Sequence, residues 1–117
     1  MWEERIQEAV RRHRALTERL ADPAVLADPA ALRAVAREHA ELAPIVELAA
    51  RLERVRAGLA EAREVARTSR DAELVELARA EVESLAREEE ELLARLRAAL
   101  APRDPLADRA AVVEIRA

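Results

Sequence analysis

The chain of 117 residues has no cysteine, lysine, phenylalanine or tyrosine, and only one glycine and one tryptophan. Each absence removes a class of function. Without cysteine there is no disulfide framework and no thiolate metal site. With Gly58 as the sole glycine and no lysine, no glycine-rich phosphate loop can form. Ser69 and Ser84 lie in no nucleophile motif. No uncharged run approaches the roughly 20 residues of a membrane-spanning helix. The opening Trp2-Glu3-Glu4 is acidic, unlike the basic start of a secretory signal, so a soluble cytoplasmic protein is expected. A net charge of −4 argues against the basic domain of a nonspecific nucleic-acid binder, while the mixed-sign patterning allows local contact with RNA or protein.

What remains is an apolar half made of Ala, Leu, Val and Ile beside 38% charged residues, all of the basic ones arginine. Such a chain builds a slim helical seam better than a thick globular core. In the first helix, from Trp2 to Leu20, the residues Trp2, Ile6, Ala9, His13, Leu16 and Leu20 share one face. Arg11, Arg12 and Arg14 form a small basic run, read as a solvated, ion-paired face. Asp22-Pro23 and Asp28-Pro29 each set a capping carboxylate before a proline suited to the first helical position. The connection from Ala21 to Ala27 is therefore a structured elbow.

A long helix from Asp28 to Thr68 carries the stripe Leu32, Val35, His39 and Leu42, then Leu48, Leu52, Val55, Leu59, Ala62 and Ala66. At this length it spans about 60 Å and needs partner helices. Pro44 and the short steps Leu42–Ile45–Leu48 predict a bend near Ala43–Ile45. Gly58 is read as a close-packing position. Asp71 is the predicted N-cap of a third helix reaching Leu100, antiparallel to the second. Its stripe Val75, Ala78, Val82, Leu85, Glu89, Leu92, Leu96, Ala99 is broken only by Glu89, which is expected to reach solvent, with a register-setting polar seam residue as the alternative. The run Glu88–Glu91 points around the helix and cannot converge on one ion. Arg87 and Arg95, four residues after Glu83 and Glu91, are expected to pair with them. His13 and His39 fall on seam faces, where half-buried packing is favoured over metal ligation because no ligand-spacing signature accompanies them. Beyond Leu100, Ala111–Arg116 reads as a β-strand with Val113 and Ile115 on one face, and a lone strand needs a partner.

Three segments carry a family resemblance. Pro102-Arg103-Asp104-Pro105, followed by Glu114-Ile115-Arg116-Ala117, resembles the P-K-D-P and E-I-R-A junction of bacterial class I peptide chain release factors. Arg37-Glu38-His39-Ala40-Glu41-Leu42-Ala43-Pro44-Ile45-Val46-Glu47 resembles their R-E-Y-A-E-L-x-P-I-V-E, with His39 where tyrosine is usual. Asp71-Ala72-Glu73-Leu74 is similar to their D-P-E-L. Ala107 and Ala110 depart from the usual acidic and Asn residues. The E-I-R-A ending resembles the type 1 factors, which read UAA and UAG.

The resemblance implies a non-enzymatic amino-terminal domain that contacts the large-subunit stalk base of the ribosome during termination, alongside the remaining release-factor domains. The codon-reading tripeptide and the Gly-Gly-Gln loop of the family do not occur in this sequence, so no catalytic, cofactor-binding or metal residue is assigned and no cofactor is expected. The expected architecture is all-α, a three-helix antiparallel bundle or coiled-coil hairpin with a bent long second helix, followed by one strand of a missing domain. Its boundaries are residues 1–101 for the helical domain and 102–117 for the linker and first strand. The alternative is a self-contained coiled-coil module that dimerises through its seams.

Overall fold

The computed structural model describes residues 1–101. They form α1 (Trp2–Arg19), α2 (Pro23–Leu26), α3 (Pro29–Thr68) and α4 (Ala72–Leu100). The strand expected over Ala111–Arg116 lies outside the described residues. Three aspartates open three of the helices as their sequence context dictates. Asp22 accepts from the Ala24 amide at 2.9 Å, and Asp28 accepts from Ala30 and Ala31 at 3.1 and 3.3 Å. Asp71 accepts from Glu73 and Leu74 at 3.0 and 3.4 Å. Each carboxylate satisfies amides that have no partner inside their helix. The elbow is thus a short capped helix, α2, which buries Val25.

The chain divides into two compact units. One holds residues 1–49 together with the end of α4 from Leu96, and the other is Ala50–Arg95. In the first, Ile6 and Leu16 of α1 are buried with Val35, Leu42 and Ile45 of α3 and Leu96 and Leu100 of α4. In the second, Leu52, Val55, Leu59 and Ala62 of α3 and Ala78 and Leu92 of α4 are buried. Within that unit α3 and α4 run antiparallel: Arg56 meets Glu89, and two residues further along α3 Gly58 meets the earlier Leu85. All the predicted seam positions are buried or half-buried. One detail of the seam differs from the reading of the sequence. It passes from Ile45 through Ala49, which is buried, while Leu48 is only half-buried. A step of four after Ile45 keeps the seam on one face, and the small Ala49 side chain suits a close approach.

Pro44 does not interrupt α3, which is helical on both sides of it and through it. Proline cannot donate to the carbonyl four residues back, that of Ala40. Both Ala40 and Pro44 are exposed, so this carbonyl lies on the solvated side, where water can take the bond. At Gly58 a Cβ would stand 3.2 Å from Cδ1 of Leu85, so the glycine permits a tight approach of the two helices, as its reading as a close-packing position expects.

Two expectations about charge are corrected. Glu89 does not reach freely into solvent; its carboxylate accepts from Arg56 Nε at 2.9 Å across the two helices and its side chain is 25% exposed. The seam admits a carboxylate here because the partner helix supplies a guanidinium at the same level. The pairs Glu83–Arg87 and Glu91–Arg95 do not form among the described residues, whereas Glu64–Arg67 at 2.8 Å and Glu76–Arg79 at 3.6 Å do. Exposed helical pairs are worth only a few tenths of a kcal/mol, so solvation competes readily with them.

Candidate functional site

Three places in the structure concentrate polar or unexpectedly exposed groups. The first is in the first unit, where α1 meets α3. Arg12 donates from Nε and Nη2 to the two carboxylate oxygens of Glu38, each at 2.8 Å, a two-pronged ion pair. The carboxylate raises the Arg12 guanidinium above its ordinary value, first by the hydrogen bond and then by charge. Arg5 lies 4.4 Å over the Trp2 ring and donates from Nη2 to the carbonyl of Leu100 at 2.9 Å, closing the C-terminal end of α4. Arg5, Arg12 and Glu38, with Arg11, Leu42 and Leu100, line an open groove of about 590 Å³. Its charges are mixed and it contains no nucleophile.

Beside the ion pair the rings of His13 and His39 stack, with centroids 4.1 Å apart and planes 23° apart. Both histidines are half-buried. The sequence placed them on facing seams, and the structure brings them together as packing groups. Thr17 Oγ1 donates its single proton to the carbonyl of His13 at 3.0 Å and lies 2.9 Å from His39 Nε2. Having spent its proton, the hydroxyl oxygen must accept, so Nε2 of His39 carries the hydrogen. Burial, and secondarily the nearness of His39, hold His13 below the usual histidine value. Thr17 is a partner that sequence reasoning missed: it lies one turn after His13, but its bond to His39 spans 22 residues and has no local signal.

The second place is a cleft of about 320 Å³ in the second unit, where Arg51, Arg87 and Arg95 meet Glu88 and Glu91. It contains the solvated charges expected of this face. The third is the start of α4, where Leu74 is 47% and Leu77 is 69% exposed. Together with Ala72, Glu73 and Glu76, Leu77 lines a shallow, mostly apolar surface. Leucine is seldom left outside at successive turns of a helix whose other face is already buried, and such a patch is suited to contact with a partner surface. Among the described residues no group of three or more His, Cys, Asp or Glu is arranged to hold a metal ion. Nor is any helix among them long and apolar enough to cross a membrane.

Comparison with known proteins follows the same line. The family model described as PCRF domain matches residues 9–117. Curated relatives named peptide chain release factor 1 include that of Frankia casuarinae, 44% identical over 105 residues, which cover 90% of this chain and 28% of the relative. The protein of that name from Desulforudis audaxviator is 38% identical over 84% of this chain and 28% of its own length. That of Syntrophobacter fumaroxidans is 36% identical over 97% of this chain and 32% of its own length. The chain thus spans less than a third of the relatives it matches. No solved structure matches it significantly.

Proposed function

The chain belongs to the PCRF domain family, and from that premise we propose that it serves translation termination as the non-catalytic helical domain of a type 1 peptide chain release factor, acting at UAA and UAG codons. The observation that carries this reading is the family match across residues 9–117. In this reading the domain works in the cytoplasm, touches the large-subunit stalk base, and packs near the remaining release-factor domains. Residues 1–101 form its helical body. Pro44 bends α3.

We assign the stalk-base contact to the exposed Leu74 and Leu77 at the start of α4. They are the large apolar side chains of the second unit that have no place in its core. The test is made in a full-length factor carrying this domain. Leu77→Asp leaves the fold intact, because the side chain is mostly exposed, and lowers ribosome affinity several-fold. Unchanged affinity with wild-type melting behaviour would remove the assignment. A self-contained dimerising module is the less favoured reading, since Leu59, Leu92 and Leu96 of its supposed seams are already buried within one chain.

A further inference from the structure

The stacked histidines of the first unit have no part in the termination reading, yet they join α1 to α3. We propose that His13 and His39 form a proton-operated latch that tightens α1 on α3 while at most one ring is charged, and loosens this contact when both are. Centroids 4.1 Å apart place the rings in van der Waals contact. A second positive charge would meet the first at that range, where the partial burial of both rings weakens solvent screening.

The residues one turn away on either helix offer a doubly charged pair no counter-charge. Three and four positions from either histidine, in both directions, every residue on α1 and α3 is Ala, Val, Leu or Thr. The adjacent charges Arg12 and Glu38 are bonded to each other, and the remaining neighbour in sequence, Arg14, is exposed and adds positive charge. From α2 no ionisable side chain comes, and the Asp22 carboxylate before it is committed to capping Ala24. From α4 this unit receives one charged residue, Arg97, which is exposed. Thr17 fixes where the proton enters: with Nε2 of His39 already donating to the hydroxyl, the free lone pair is on Nδ1.

The sign of the pH dependence follows from His13, whose burial disfavours the charged form. A histidine depressed on folding contributes its stability above the unfolded value, about 6.5. That contribution is lost as the pH falls from there toward the lower folded value, because the unfolded chain binds the proton first.

The chain has two histidines and no cysteine, so this pair holds all of its imidazole side chains. Trp2, the single tryptophan, is half-buried on α1 and serves as the emission probe of that helix. With the 117-residue chain, both imidazoles are followed by NMR and Trp2 by its emission from pH 8 to pH 5. The expected result is two protonation steps separated by about one pH unit or more, with a red shift of Trp2 emission accompanying the lower step. His39→Phe and His13→Phe each keep a ring in the stack but remove one charge, and both abolish the emission change. Independent titration of the two rings near the ordinary histidine value overturns the proposal, as does an undiminished Trp2 change in either variant. If a variant is unfolded at pH 7.5, the wild-type titration and its coincidence with the Trp2 signal decide alone.

Discussion

Gly58 shows how two opposed effects are weighed at a single residue. In a helix interior glycine costs roughly 1 kcal/mol relative to alanine. The added Cβ of Gly58→Ala would lie 3.2 Å from Leu85 Cδ1, the end of a flexible and half-buried side chain that can move a few tenths of an ångström. The propensity gain therefore outweighs the contact, and Gly58→Ala is expected to stabilise the chain by up to about 1 kcal/mol. Gly58→Leu cannot be accommodated by so small a movement and is expected to destabilise by about 1–3 kcal/mol. Urea titrations monitored by circular dichroism give both values. If alanine is destabilising, the helix–helix approach is tighter than a side-chain shift can relieve. The same scale shows why Glu89 was misread from sequence. Its partner Arg56 is 33 residues away, and only the pairing of α3 with α4 brings the two together.

Among the elements, α3 is the one whose sequence contains a contradiction. Its apolar stripe calls for one continuous helix, while Pro44 removes a backbone bond and crowds the preceding turn. Continuity prevails in the structure because the affected carbonyl, that of Ala40, lies on the exposed face. Proline in such a place still bends a helix by steric conflict with the turn before it. Spin labels at the exposed positions Arg33 and Glu47 would measure this across fourteen residues, a straight-line distance of about 21 Å between backbone positions. Pro44→Ala is expected to lengthen the distance between labels and to raise thermal stability. An unchanged distance would show that packing of Leu42 and Ile45 sets the path of α3. The other elements carry no such conflict: each of α2, α3 and α4 starts where an aspartate caps it, and these starts were legible from the Asp-Pro and Ser-Arg-Asp contexts.

For the whole molecule the question is where the domain ends. The described fold closes on itself at the end of α4, with Leu96 and Leu100 buried and the Leu100 carbonyl bonded to Arg5. If residues 1–101 constitute the domain, a chain ending at Ala101 should melt at the temperature of the 117-residue chain. Neither should hydrolyse peptidyl-tRNA, which stalled-ribosome release assays would check. A markedly lower melting temperature for the shorter chain would move the boundary into residues 102–117. Release activity in either would overturn the non-catalytic reading.

The helices, the caps of α2, α3 and α4, most of the buried faces and the family were legible in the sequence. They depend on information that is local or periodic: a carboxylate two or three residues before an orphan amide, an apolar residue every third or fourth position, and short runs of matching residues. What the sequence left undecided is everything that depends on which residues of one helix stand opposite which residues of another. The stacking of His13 on His39, the role of Thr17, the Arg12–Glu38 and Arg56–Glu89 pairs, and the choice of Ala49 over Leu48 for the seam are of this kind. Periodicity fixes the face a side chain occupies. The level at which two faces meet is set by close packing between helices, and only the tertiary structure decides it.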